Sequence, residues 1–229
     1  MKIVILGAME EETSTLLANL EDLQEEGRNL YPYHRGFFYD KEIFVIKTGI
    51  GKVNAALCTQ RLIDLHRPDA VIMVGVAGAI EKLAIGDVVL ATKVAHHDLK
   101  PEFLVNHQPY LDEDAQGYFS CDRELLQCAI QSVADLSLNF KVYTGPMASG
   151  ENFVEKQGRE EIIEKFAPLC VDMETAGMAH ACHRSQIPFF ALRSITDTEE
   201  ESGLDHFEKN YEVARENAQY LLMEILKAL

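Results

Sequence analysis

Apolar residues in this chain fall into short runs separated by stretches with helical spacing. The runs cover 2–7, 43–48, 70–76, 87–95, 141–147, 168–172 and 188–195. Their length fits strands, not helices. Tyr39-Asp40-Lys41 reads as the turn of a hairpin joining 35–38 to 43–48. Between the runs, residues 10–22 carry Leu16, Leu17 and Leu20 at helical spacing. Residues 52–65 repeat the pattern with Val53, Ala56, Leu57 and Leu62, closed by Arg67-Pro68. Residues 122–136 open on Asp122 as a cap and bury Leu125, Leu126, Ala129 and Val133. The segments 173–185 and 205–227 supply the remaining predicted helices. Alternating strand and helix predicts an α/β fold on a largely parallel or mixed sheet. Residues 98–121 are the least regular part and are expected to form a long loop, often functional at that length.

Composition narrows the picture. A chain of 229 residues is long enough for one large or two small domains. No internal repeat, low-complexity stretch or Pro/Gly linker divides it, so one domain over 1–229 is expected. The net charge of −16 argues against nucleic acid, whose phosphates need clustered Lys and Arg, and against anionic membrane surfaces. It leaves room for a neutral or cationic small ligand. The five Cys are odd in number and form no C-x-x-C pair, which fits a reducing cytoplasm. Met1-Lys2 leads straight into a strand without a secretory leader, and no uncharged apolar run approaches the roughly 18 residues of a membrane span. A cytoplasmic location is therefore expected.

The chemistry-bearing residues sit where the strand-like runs end. Glu12, Glu174 and Asp197 each follow such a run closely. Open α/β sheets bind ligands outside the carboxyl ends of their strands, so three carboxylates delivered there are placed to hold, protonate and hydrate a polar substrate. Helix-dipole complementarity alone accounts for two of the acids in Glu10-Glu11-Glu12, namely Glu10 and Glu11. The Gly7 turn lacks G-x-G-x-x-G, and its carboxylates stand where a phosphate would sit. Thr48-Gly49-Ile50-Gly51-Lys52-Val53 is not a P-loop: the upstream Gly is missing and Val53 replaces the Mg²⁺-binding hydroxyl. In Gly75-Val76-Ala77-Gly78 small residues let backbone amides approach a ligand, or let a strand and helix cross closely. Phe153, past the run 141–147, is placed to stack on a planar base or to fill the core. His96, His97 and Asp98, and likewise His180, Cys182 and His183, lack a further partner at metal spacing, so no metal is expected. No G-x-S-x-G elbow is present.

The ordered set G-A-M-E-E-E, T-G-I-G-K-V-N-A-A, G-V-A-G, G-D-V-V, S-G-E-N-F, V-D-M-E-T-A and R-S-I-T-D spans nearly the whole chain. As a set it resembles the 5′-methylthioadenosine/S-adenosylhomocysteine nucleosidases of the nucleoside phosphorylase superfamily. The resemblance implies a single α/β domain around a mixed, barrel-like twisted sheet, and a homodimer without metal or organic cofactor. It implies hydrolysis of the N-glycosidic bond of a 5′-substituted adenine nucleoside, giving adenine and a 5-substituted ribose. Carried over by residue, Asp197 matches the acid that protonates adenine N7, and Glu12 the residue that positions and deprotonates water. Glu174 matches the carboxylate that grips the ribose hydroxyls, with Met173 beneath the sugar. Phe153 matches the aromatic that stacks on the base, and the backbone of Val154 reads the adenine edge. Arg193 is expected near both Asp197 and Glu12. Met9, Ile50, Ala77, Gly78 and Thr196 join the expected substrate-binding set.

The chain also departs from the family pattern. Val76 stands where family members often carry Ser, Asp172 where they carry Glu, and Thr196 where they carry Ser. After His97-Asp98 the family's D-V-T-A-F-G-Y segment is replaced by Leu99-Lys100-Pro101-Glu102-Phe103-Leu104-Val105. In the family this loop reaches the partner subunit and covers the 5′ substituent; Phe103 is the candidate for that cover. Three other readings share the scaffold. A futalosine or aminodeoxyfutalosine hydrolase of menaquinone synthesis would use an altered 98–117 loop. A phosphorylase would need cations near the Gly7 turn and near 75–90, where Lys82 stands alone. A non-catalytic nucleoside-binding protein would bind without cleavage.

Overall fold

A computed structural model describes residues 1–27, 31–100, 106, 117–155 and 158–229. The apolar runs form strands: β1 (Lys2–Gly7), β3 (Tyr33–Phe38), β4 (Lys41–Lys47), β5 (Ala70–Ala79), β6 (Val88–His96), β8 (Val142–Ser149), β9 (Cys170–Asp172) and β10 (Phe189–Asp197). Two further strands, β2 (Glu21–Glu26) and β7 (Tyr118–Ser120), complete the sheet. Its path runs β10-β6-β8-β9-β5-β1-β4-β3-β2, with β7 beside β6. Because β10 also pairs with β5, the first five strands close on themselves, and β1, β4, β3 and β2 extend outward from β5. Pairing is mixed: β1 runs parallel to β4 and β5, and β10 antiparallel to β6.

Both faces of the sheet are covered, which is why its central strands read as unbroken apolar runs. Along β1, Val4 and Leu6 enter one core and Ile3 and Ile5 the other, as the alternation of a strand requires. The helices α2 (Lys52–His66) and α5 (Thr175–Ser185) cover the first face through Ala55, Cys58, Leu62, Ala176, Met178 and Ala179. On the second face lie α1 (Ser14–Ala18), α3 (Arg123–Val133) and α6 (Leu204–Ala228), burying Leu16, Leu125, Ala129, Leu221 and Leu222. Asp122 caps α3 as expected, accepting from the amides of Glu124 and Leu125, each at 3.0 Å.

Three expectations need correction. The helix expected over 10–22 is a 3₁₀ turn at Glu10–Glu12 followed by the five-residue α1, and the chain is back in a strand from Glu21. Leu20 thus lies beyond the helix, and residues 21–26 pair with β3 as a largely exposed edge strand. That strand buries almost nothing, so it carries no apolar alternation, and its acids discourage edge-to-edge association. The helix α4 (Arg159–Phe166) was not anticipated; only Arg159, Ile162 and Phe166 are buried along its eight residues. Within the expected loop 98–121, Tyr118–Ser120 form β7, and Phe103 lies outside the described residues.

The site is placed by a fork in the sheet. One edge of β5 pairs with β10 from Val71 to Gly78. The other pairs with β1 over Ala70–Met73 and with β9 only at Gly78 and Ala79. Between them the backbone of Gly75–Ala77 faces a gap, at the carboxyl ends of β1 and β10, where α/β sheets take their ligands.

Candidate active site

Glu12 closes the gap in β5. The 3₁₀ turn folds its side chain back, so that Oε2 accepts from the amides of Ala8 (2.6 Å) and Met9 (2.9 Å). Oε1 accepts from Val76 N–H at 3.1 Å, the donor that the forked strand leaves without a partner strand. Arg193 Nη1 lies 3.9 Å from Oε1. Burial nonetheless raises the Glu12 pKa against the pull of Arg193 and the three amides. A Ser hydroxyl at position 76 is dispensable for this contact, because the backbone supplies it. The anion-binding amides of the Gly7 turn are thus already taken by a carboxylate of the chain itself.

Glu174 stands at the N-cap of α5, yet it does not cap the helix. Asp172 does so instead, accepting from the Thr175 amide at 3.2 Å and from the hydroxyls of Thr175 and Ser149. Glu174 is thereby released toward the cavity: Oε1 accepts from Gly51 N–H at 3.0 Å, and Oε2 lies 3.3 Å from Arg193 Nη2. Burial pushes its pKa up to about 7, with Arg193 opposing and Asp172 adding to the rise. The shorter Asp172 serves as the inner anchor for Arg193, 2.7 Å from Nη2.

Asp197 ends β10 at a bulge: Ile195 pairs with Ala77 and Asp197 with Gly78, so Thr196 is the extra residue. Such a bulge re-aims the following side chain. The carboxylate is 1 % exposed and faces Gly78, where an added Cβ would come within 2.8 Å of Oδ2. Thr196 keeps the hydroxyl function expected of it, donating to Oδ1 at 2.9 Å. Burial raises the Asp197 pKa, against the Thr196 hydroxyl, Arg159 and His206.

Arg193 is fully buried beneath the cavity, tied to Asp172, Glu174 and Glu12. The expectation that it also stands beside Asp197 is corrected. Four residues along a strand span about 13 Å, and the guanidinium found against Asp197 is that of Arg159, at 3.6 Å.

These groups surround one cavity of about 280 Å³. Of the residues singled out from the sequence, Met9, Glu12, Ile50, Ala77, Gly78, Phe153, Val154, Met173, Glu174, Thr196 and Asp197 all line it. Arg193 lies under its floor. Asn152, Val171, Leu204 and Phe207 also line it and were not anticipated. Phe207 packs edge-on against Phe153, with ring centroids 6.3 Å apart. In the sequence, Leu204 stands just before the helix expected over 205–227 and Phe207 near its start; their place after the strand-like run 188–195 was the available signal. The cavity joins apolar walls to three carboxylates on different anchors, which suits a ligand with an aromatic ring and a hydroxylated sugar.

Two of the histidines face each other. His96 Nε2 meets His180 Nδ1 at 3.4 Å, and His180 stacks on Phe119. Asp98 pairs with Lys52 and accepts from the Glu151 amide at 3.0 Å. Among the described residues no group of three or more His, Cys, Asp or Glu is arranged to hold a metal, and no helix is long and apolar enough to cross a membrane.

Comparison with known proteins places this geometry. Residues 2–227 match the family model of the phosphorylase superfamily. A 5′-methylthioadenosine/S-adenosylhomocysteine nucleosidase of Bacillus velezensis is 33 % identical over 235 aligned positions, covering all of both chains. The solved nucleosidase of the same kind from Neisseria meningitidis, in complex with methylthio-immucillin-A, superposes with a TM-score of 0.90 at 30 % identity, covering 100 % of this chain and 99 % of that one. The futalosine hydrolase of Helicobacter pylori superposes at 0.87 with 27 % identity, covering 100 % of this chain and 98 % of its own. The chain belongs to the phosphorylase superfamily and, within it, to the 5′-methylthioadenosine/S-adenosylhomocysteine nucleosidase family.

Proposed function

We propose that this protein hydrolyses the N-glycosidic bond of 5′-substituted adenine nucleosides, methylthioadenosine and S-adenosylhomocysteine, releasing adenine and a 5-substituted ribose. The observation that carries this reading is Glu12 occupying the amides of Ala8, Met9 and Val76. Those donors are not free for phosphate, and the group placed there is a base suited to water. Glycoside cleavage through an oxocarbenium-like state asks for an acid at the leaving group and a carboxylate at the water. Asp197, whose pKa burial raises, gives a proton to N7 as the C1′–N9 bond breaks. Glu12 takes a proton from the water that attacks C1′. Glu174, bridging Gly51 N–H and Arg193, receives the ribose hydroxyls through charge-assisted hydrogen bonds. Met173 lies beneath the sugar, Phe153 stacks on the base and the Val154 backbone reads its edge. The half-exposed Ile50 lines the cavity and continues into an exposed apolar strip on α2, Val53 and Leu57. That strip supports a homodimer in which the second copy closes the cavity mouth. The expected compartment is the cytoplasm.

A panel of methylthioadenosine, S-adenosylhomocysteine, aminodeoxyfutalosine, futalosine and inosine, assayed without phosphate by free-base release, tests the substrate. Preference for the first two is expected. Preference for a futalosine, the reading favoured by the Helicobacter relative, replaces the substrate while keeping the reaction. Asp197→Asn is expected to abolish turnover of all substrates with an unactivated base while a nucleoside analogue still binds; full activity in that variant removes Asp197 from its role.

A further inference from the structure

Arg159 is the first residue of α4, and its guanidinium is buried, with 3 % of the residue exposed. It does not line the cavity; it stands behind Asp197. Nη1 donates to the Ala79 carbonyl at the end of β5, and Nε to the Glu155 carbonyl at 3.3 Å. The remaining nitrogen, Nη2, has no hydrogen-bond partner and points at Asp197 Oδ2, 3.6 Å away. Asp197 Oδ2 is likewise buried without a hydrogen-bond partner, while Oδ1 is held by Thr196. A buried cationic donor and a buried acceptor thus face each other, about 0.7 Å beyond ordinary hydrogen-bond length. Leaving both unmade is unfavourable, and a carboxylate gains more from such a donor than a carboxylic acid does.

We propose that Arg159 is a positioning residue for the glycosidic cleavage, one that closes onto Asp197 Oδ2 as Asp197 gives up its proton and so strengthens it as an acid. This rests on the reading of Asp197 as the proton donor. In the step, the C1′–N9 electron pair enters the base, the Asp197 O–H bond breaks and N7–H forms, leaving Asp197 as a carboxylate. Water oxygen bonds to C1′ and its proton passes to Glu12; exchange with solvent then returns a proton to Asp197 and removes the one gained by Glu12. The Arg159 contact exists fully only once Asp197 is anionic. It therefore favours the transition state over the ground state, the condition for raising kcat.

The test compares two substrates in Arg159→Gln, Arg159→Met and Arg159→Lys. Methylthioadenosine needs a protonated leaving group; a 4-nitrophenyl riboside with the same 5-methylthio group does not. In the neutral variants kcat for methylthioadenosine is expected to fall about tenfold to a hundredfold. KM and nitrophenyl-riboside turnover should stay near wild type. In Arg159→Lys, whose shorter cation reaches Asp197 less well, the ratio of the two activities should fall about two- to fivefold. The alkaline limb of the kcat profile should move to higher pH in the neutral variants, since Asp197 loses an opposing positive charge; Thr196 and His206, the other groups facing it, are unchanged. An activity ratio equal to wild type in whichever variants fold overturns the proposal, as does an equal loss on both substrates, which marks a purely structural role. The parallel Asp197→Asn protein separates the two claims. If it is inactive on methylthioadenosine while the Arg159 variants match wild type, only the Arg159 inference fails. If it is fully active, the Asp197 reading itself fails.

Discussion

Replacing Glu174 by Gln should make the free protein more stable at high pH while impairing the site. The residue is 5 % exposed, and burial pushes its pKa from the ordinary carboxylate value of 4.5 up to about 7. In the unfolded chain the same group ionises near its ordinary value. Between these two values the folded protein binds more protons than the unfolded one, so stability falls as pH rises through the folded pKa. At 1.36 kcal/mol per pH unit between the two values, the rise corresponds to about 3 kcal/mol, present in full only at about pH 4 and below, and lost by about pH 8. Gln is isosteric with protonated Glu and keeps an acceptor for Gly51 N–H, so the two proteins should be nearly equal in stability at about pH 4. By pH 8 the Gln protein should be ahead by up to about 3 kcal/mol. Urea unfolding of both at pH 4, 5, 6, 7 and 8 measures the difference through the midpoint and slope. Binding of a non-hydrolysable adenosine analogue should weaken at least about tenfold in the same variant, because a charge-assisted bond to the ribose is gone. Parallel stability profiles across this range, or a Gln protein that loses ground as pH rises, would show that burial does not raise the Glu174 pKa.

Other substitutions probe the anchors. Gly78→Ala places a Cβ 2.8 Å from Asp197 Oδ2 and should cut kcat roughly a hundredfold by displacing the acid; wild-type turnover would show that Asp197 need not be so placed. Gly75→Ala brings a Cβ within 2.8 Å of Glu12 Cδ and against Arg193 Nη1. It should lower both turnover and stability, the latter by about 1–3 kcal/mol, and a neutral outcome in thermal unfolding and kcat would contradict the packing described. Arg193→Met leaves Asp172 and Glu174 without their buried cation and should cost about 3–5 kcal/mol near pH 8. The loss should shrink toward pH 5 as Glu174 takes up a proton; a pH-independent loss would deny the charge cluster its role.

Much of this was legible in the sequence because burial on both faces of a strand leaves an unmistakable apolar run. Glu12, Glu174 and Asp197 could be recognised because each sits at the end of such a run. Their distinct settings could not be read that way, since they depend on long-range partners: Val76 N–H for Glu12, Gly51 N–H for Glu174, and the bulge at Thr196 for Asp197. The edge strand Glu21–Glu26 escaped because an exposed strand needs no apolar alternation. Arg159 escaped because its short helix buries little, and because nothing local links residue 159 to residue 197. Phe207 was hidden in the ordinary face of a long helix; only the return of α6 past the strand ends makes it a cavity wall.

The central claim is that water, not phosphate, attacks the sugar. Incubating the protein with methylthioadenosine in phosphate-free buffer, and again with excess phosphate, while following adenine by absorbance and the sugar by ³¹P and ¹H NMR, tests it most directly. Equal rates of adenine release, and free 5-methylthioribose, are expected in both. Adenine release that requires phosphate, with a ribose 1-phosphate appearing in the ³¹P spectrum, would contradict it.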